Sequence, residues 1–291
     1  MRFRLVQELA ADGMHVAVAC RVLRVSTSGY YERVMRAPSA RAVADAALRA
    51  EIEAIHTMSR GSYGVPRVHA ELRLGRDIRC GRKRVARLMR LSGLQGVFRR
   101  KRKRHHPDPA VHDDLVKRRF HADAPNRLWL TDITEHPTRE GKVYCAAVLD
   151  VYSRRIVGWS IADHLRSELV VDALEMARWR RRPPVGQTVV HSDRGSQYTS
   201  WAFGQRLRAT GLLGSMGRVG AAADNALMES FFGTMQLELL DRRSWTTRAE
   251  LASAIFEWIE GWYNPQRRHT SIDDLSPIDY ERRLTTDTDA A

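Results

Sequence analysis

Three carboxylates stand where acids are costly. Asp132 lies inside LWLTDIT, Asp193 inside VVHSDRGSQY and Glu229 inside DNALMESFFGTMQLELL. Between the first and the second lie 60 residues, and between the second and the third 35. The two Asp-bearing runs have the apolar texture of strands, and the Glu-bearing run that of a helix. Asp is depleted in strands, and an unpaired buried carboxylate is expensive. A divalent cation offsets that cost. Mg²⁺ takes one or two carboxylates with substrate phosphates, and two ions about 3.5–4 Å apart clamp both oxygens of an in-line phosphoryl transfer. The chemistry indicated is a metal-dependent reaction at nucleic-acid phosphodiesters.

Each acid by itself has a plainer reading. Asp193, between a β run and a Gly turn, could cap that turn. Asp150, at a strand end beside YSRR, is read as a turn or Arg-pairing residue. The weight rests on the trio and its order.

The elements that must hold these acids can be read from periodicity. Leu128–Thr134 reads as a strand, with a turn near Arg139–Lys142. Val143–Tyr152 and Arg155–Ile161 then read as a strand pair joined at YSRR. A helix over Ser167–Trp179 is broken by PPVG, and Thr188–Asp193 is a fourth strand. A helix near Trp201–Thr210, a short strand at Leu213–Met216 and the helix carrying Glu229 complete the set. This predicts a mixed α/β sandwich in the order seen in RNase H-like folds. Asp132 shares a pleat face with Leu128 and Leu130, and Asp193 closes a strand, where open α/β sheets build sites. On the last helix Met228, Phe231, Met235 and Leu239 form the buried stripe, with Glu229 and Gln236 projecting from its flank.

The front of the chain differs in texture. The formal charge of the 291 residues is +14, which points to a polyanionic partner. Residues 1–120 hold 27 Lys/Arg against 11 Asp/Glu, whereas residues 121–291 hold 21 against 23. A basic front half and a near-neutral rear half imply binding in one and reaction in the other. Residues 14–34 read as a helix, a Ser/Thr/Gly break and a second short helix. A further helix is expected over 43–59, then GSYG, a helix from Pro66 to Leu74, and a third in RKRVARLMRLSGL. The last turns Val85, Leu88, Met89 and the adjoining Ser92 inward and leaves Arg82, Lys83, Arg84, Arg87 and Arg90 available outside. Three short helices, the last densely basic, fit a helix-turn-helix DNA-binding region; a plain helical bundle with a charged face is the alternative.

Arg99, Arg100, Lys101, Arg102, Lys103 and Arg104 form a basic block opening a linker suited to lie along phosphates. Its histidines (His105, His106, His112 and His121) lack ligand spacing and read as solvated. Arg267 and Arg268 follow a helix over Leu251–Tyr263; they read as DNA contacts or as a packing extension, and both readings stand. The expected division is 1–40 helical segment, 41–98 DNA-binding region, 99–124 linker, 125–243 catalytic core and 244–291 helical extension. Cys20, Cys80 and Cys145 are scattered, which argues against disulfides and structural zinc and for a reducing cytoplasm. No run approaches the ~18 apolar residues of a membrane helix, so a soluble, intracellular protein is expected.

Six segments in order carry a resemblance that spans almost the whole chain: SRGSYGVPRVHAEL, NRLWLTDIT, LDVYSRRIVGW, HSDRGSQYTS, DNALMESFFGT and YNPQRRHTSIDDLSPIDYE. With the 35-residue spacing, the chain resembles the open-reading-frame-B transposases of the insertion-sequence-three family, relatives of retroviral integrases. The resemblance implies that Asp132, Asp193 and Glu229 hold two Mg²⁺ (or Mn²⁺) ions. It also implies cleavage at an element's end and joining of the 3′-hydroxyl to target DNA, with no covalent enzyme–DNA intermediate. Double-stranded DNA, at least a second copy of the chain, and an upstream open-reading-frame-A product, fused or as partner, are the implied partners.

One position departs from that pattern. Seven residues after Glu229 such enzymes often carry Lys or Arg close to the DNA; here it is Gln236, which can bond a phosphate without neutralising it. Two other classes compete. A DNA-binding regulator with a decayed catalytic half would bind without cutting, and a structure-selective RNase H-type nuclease would cut without joining.

Overall fold

The computed structural model describes residues 2–97, 121–193, 195–216 and 226–289. The basic block Arg99–Arg104 and the linker histidines 105, 106 and 112 lie outside them. The chain divides into two compact units, Met1–Glu53 and Ala54–Ala291, a coarser division than the five parts expected from composition.

The first unit holds α1 (Arg2–Ala11), α2 (Val16–Val22), α3 (Thr27–Met35) and the opening turns of α4 (Ala40–Met58). Val6, Ala19, Cys20 and Tyr30 are its buried centre. The Ser/Thr/Gly stretch expected as a break is in fact the start of α3. Ser26 caps it, accepting from Gly29 N at 3.1 Å, because a β-region Ser supplies the oxygen that the first turn's orphan N–H groups need.

In the second unit, α4 ends at a tight turn, and α5 (Val65–Leu74) begins with Pro66 in its first turn. Helix α6 (Arg82–Leu91) buries Val85, Leu88 and Met89 as its periodicity assigns, while Ser92 is its half-buried C-cap. The sheet follows, with β1 (Leu128–Thr138), β2 (Gly141–Asp150), β3 (Ile156–Ala162), β4 (Val189–Ser192) and β5 (Leu213–Met216). Its spatial order is β3-β2-β1-β4-β5. The first three strands pair antiparallel, while β4 is parallel to β1 and β5 parallel to β4.

Helices cover both faces. On one side α7 (Ser167–Arg181) and α8 (Trp201–Thr210) bury Leu169, Val170, Ala173, Leu174, Phe203 and Leu207 against Trp129, Ala146, Val148 and Val157. Gly158 permits the closest approach: a Cβ there would stand 2.1 Å from Ala173 O. Successive strand residues face opposite sides, so the buried Cys145, Ala147 and Leu149 look the other way. That face is covered by α9 (Ala226–Glu238), which packs on β1, and α10 (Arg248–Phe256), which packs on β2.

The helix expected over Leu251–Tyr263 starts earlier, at Arg248, and changes winding. After Phe256 it continues as a π-helical segment, Glu257–Tyr263, that buries Trp258, Ile259, Trp262 and Tyr263. Asn264 then closes the first residue of the sheet's edge strand. Its Oδ1 accepts from Ile156 N and its Nδ2 donates to Ile156 O, both at 2.9 Å. The chain ends in α11 (Pro277–Asp289), whose Glu281 accepts from Ser153, Arg155 and Arg181 at 2.7–2.8 Å. The segment beyond residue 244 is therefore bonded into the sheet domain.

Candidate active site

The parallel ladder between β1 and β4 aligns two of the three carboxylates. Leu128 pairs with Val189, Trp129 with Val190 and Leu130 with His191. Two residues further along each chain stand Asp132 and Asp193. Neighbouring strands run about 4.8 Å apart, and paired positions face the same side. Across β1 on its other flank, Asp132 is opposite Ala147, whose methyl group adds little bulk beside the carboxylate.

Asp132 is half-buried, and its Oδ1 accepts from the Ile133 N–H at 2.8 Å. Asp193 is exposed just beyond β4, and its Oδ1 accepts from Gly195 N at 2.9 Å. The turn-capping reading of Asp193 therefore holds, and the same carboxylate faces the site. A cleft of about 160 Å³ joins them, lined also by Thr134, Glu135, Gln197 and Tyr198.

Glu229 lies in the first turn of α9 and is exposed, opposite the buried stripe of Met228, Phe231 and Met235. Its field reaches Asp132. Asp132 is pushed up to about 6, first by burial and then by the negative charges of Asp193 and Glu229, against the Ile133 N–H that favours ionisation. Every charged side chain acting on Asp132 in this balance is acidic. Oxygen donors with mutual repulsion suit a hard divalent cation, which supplies the missing positive charge. Among the described residues, however, no three His, Cys, Asp or Glu side chains already stand together as a metal-holding group. The aspartates are aligned by the sheet; Glu229 depends on where α9 sits.

Two neighbours were not anticipated as site residues. Tyr198 is buried, with its hydroxyl 3.3 Å from Thr131 Oγ1 and its ring edge-on to Phe203 at 5.3 Å. Burial drives its phenol well above the ordinary range, so it stands neutral where it lines the cleft. Gln197 Nε2 donates to Leu165 O at 3.1 Å and ties the loop after Asp193 to the rim of the cleft. Both follow Asp193 in the run SDRGSQY, and that adjacency was the available signal.

Asp150 is a structural residue, as read from the sequence. It is fully buried and accepts from Asn126 N at 2.8 Å and Tyr152 N at 3.0 Å, with Arg181 Nη2 at 3.4 Å.

The basic candidates divide. Arg82 and Lys83 are exposed in the first turn of α6, and Arg84 and Arg87 are half-buried on the same helix. Arg99, Arg100, Lys101, Arg102, Lys103 and Arg104 lie outside the described residues. Gln236 is half-buried and donates to Asp241, so its amide is engaged within the protein. Arg267 and Arg268 are not surface DNA contacts, and the packing alternative is the correct one. Arg267 is 3% exposed and grips Glu238 through Nε (3.0 and 3.1 Å) and Nη2 (2.8 Å). Arg268 is 7% exposed and donates from Nε to Glu71 at 2.7 Å. Breaking a buried pair costs about 3–5 kcal/mol, more than the ~0–1 kcal/mol of an exposed ion pair. Neither guanidinium would leave its partner for a phosphate.

The chain is similar to known proteins along most of its length. Residues 122–222 match the integrase core domain family, 210–277 match a second integrase core domain family, and 43–102 match an HTH-like domain. The chain is 39% identical over 274 residues to the transposase for insertion sequence element IS629 of Shigella sonnei, covering 92% of this chain and 91% of that one. It is 35% identical over 289 residues to transposase InsF for insertion sequence IS3A of Escherichia coli (strain K12), covering 97% and 99%. Among solved structures it is similar to the HTLV-2 integrase catalytic core domain in complex with magnesium, at 16% identity and a TM-score of 0.42 over 55% of this chain and 99% of that one. With an HTH-like domain ahead of a five-stranded integrase core, and identity of this order along nearly its full length, the chain belongs to the insertion-sequence-three family of transposases.

Proposed function

We propose that this transposase cuts DNA at the ends of its element and joins the resulting 3′-hydroxyl to target DNA, with Asp132, Asp193 and Glu229 as the catalytic, metal-binding residues. The observation that carries the reading is the β1–β4 register, which aligns Asp132 with Asp193, together with the field of Glu229 on Asp132. Bound there, two Mg²⁺ (or Mn²⁺) ions supply activation of the attacking oxygen and charge stabilisation of the departing 3′-oxygen.

The chain's own residues do the rest. Asp132 and Asp193 bind from the sheet, and Glu229 binds from α9. Tyr198, bonded to Thr131, forms part of the cleft wall beside the aspartates. Residues 41–98 act as the DNA-binding region, with Arg82, Lys83, Arg84 and Arg87 of α6 facing phosphates, and the basic linker 99–124 tracks the same strand. Residues 125–243 are the catalytic core and 244–291 its clasp. Transposition holds two ends at once, so the working form contains at least two copies. The product of an upstream reading frame, fused or bound, is the further partner.

The test is strand joining with the element's own ends and Mg²⁺, the chain being supplied alone and fused to its upstream partner. Joined product that vanishes with Glu229→Gln supports the reading. Cleavage without joining would make the enzyme a nuclease, and DNA binding with neither would make it a binding protein.

A further inference from the structure

Helix α9 carries a second acid whose place is not explained by the reaction. Glu238 comes nine residues after Glu229, about 13 Å along the axis and on the opposite side of the helix. There it closes the buried stripe of Met228, Phe231 and Met235, at 5% exposure. A Leu would fill such a position without desolvating a charge, so the carboxylate must contribute something other than burial.

Its partners show what that is. Arg267 holds both carboxylate oxygens, and Arg67 Nη1 stands 3.8 Å from Oε1. Arg67 belongs to α5, in the HTH-like domain, and lies over the Tyr63 ring at 5.8 Å. The Tyr63 hydroxyl accepts from Arg268 N at 2.7 Å, and Arg268 in turn holds Glu71 of α5. Phe231, two residues from Glu229, meets Tyr263 edge-on at 5.0 Å. One buried network thus ties the DNA-binding helices, the C-terminal segment and α9 together.

An apolar stripe alone lets a helix roll or slide by small amounts at little cost. A two-oxygen grip by a guanidinium does not, because it is directional. We propose that Glu238, held by Arg267 and Arg67, is a positioning residue that sets the roll and axial placement of α9, and through them the reach of Glu229 to Asp132 and Asp193. The inference rests on the reading of Glu229 as a metal-binding residue. It also gives the HTH-like domain a physical route to the reaction centre, since Arg67 of that domain meets Glu238 on the helix that carries Glu229.

The experiment uses the full chain and Mn²⁺ as probe. Free ion is followed by electron paramagnetic resonance beside strand joining and thermal unfolding. Glu238→Gln, still folded, should weaken Mn²⁺ binding about 10–100-fold, and joining should fall in step and recover at higher Mn²⁺. Glu238→Asp should recover part of the loss. Wild-type Mn²⁺ affinity in folded Glu238→Gln, beside an inactive Glu229→Gln, overturns the proposal. Should Glu238→Gln fail to fold, Arg67→Gln, which keeps the Arg267 grip, should move Mn²⁺ affinity in the same direction; an unmoved affinity there is equally fatal. A Glu229→Gln chain that still joins strands overturns the triad reading itself, a result distinct from either.

Discussion

At the scale of residues, the chain concentrates its unfavourable electrostatics at one place. Asp132 is half-removed from water and lies within the field of two other carboxylates, Asp193 and Glu229, and its carboxyl is pushed up to about 6. The sign follows directly: below that pH the metal-free enzyme holds Asp132 protonated, without the charge a cation needs. Mn²⁺ uptake by the free enzyme should therefore weaken as pH falls through about 6, and Asp132→Asn should abolish joining at every pH while end-DNA affinity is kept. Metal uptake that is flat across this range would remove Asp132 from the ligand set. The choice of residue types was legible in the sequence, because an acid inside an apolar run stands out without knowledge of the fold. What lines the cleft beside Asp132 was not legible, since Tyr198 reaches it from 67 positions beyond Thr131 in the chain.

At the scale of elements, strands and helices followed the periodicity, and the departures have local causes. The C-terminal segment is the informative exception. Its basic residues look like a phosphate-binding tail in composition, yet Arg267 and Arg268 are paired inside. His269 belongs to the same cluster: half-buried, edge-on to Tyr263 at 5.0 Å, with Arg267 Nη1 3.3 Å from its ring. Burial first, then the charges of Arg267, Arg67 and Arg154, hold it well below its ordinary 6.5. The unfolded chain takes up a proton there below pH 6.5 and the folded chain does not, so folding stability is lost as pH falls below that value. Asp132, raised to about 6, works the other way in any variant that keeps it, so the measure is a difference: from about pH 7 to about pH 5 the wild-type urea midpoint should lose ground to that of His269→Gln by up to one proton's worth of slope. An unchanged slope in that variant would place the titrating group elsewhere.

At the scale of the whole molecule, charge and chemistry are separated along the chain. The excess of Lys and Arg falls before residue 121, and the carboxylates proposed to hold the metal ions come after it. Each phosphate contact removed should reduce the salt dependence of DNA binding by about one unit of slope. The double variant Arg82→Ala/Lys83→Ala should thus lower the slope by about two and weaken binding to all sequences alike. Arg267→Lys should leave the slope as it is, because that side chain is buried against Glu238. A slope change in the second and none in the first would reverse the assignment of the two basic clusters.

The sequence by itself determined the identities of the acids, their order, the basic first half and nearly every element. These properties are local: residue type, charge density and a repeat of two or 3.6 are all readable within a short window. Only the tertiary structure decided which acids become neighbours and which arginines are spent inside. The parallel register that sets Asp132 beside Asp193 comes from pairing strands 60 residues apart, and no window spans it. Arg267 meets Glu238 across 29 positions and Arg268 meets Glu71 across 197. Burial of a charge depends on the partner the fold delivers, and that partner is fixed only when distant elements pack.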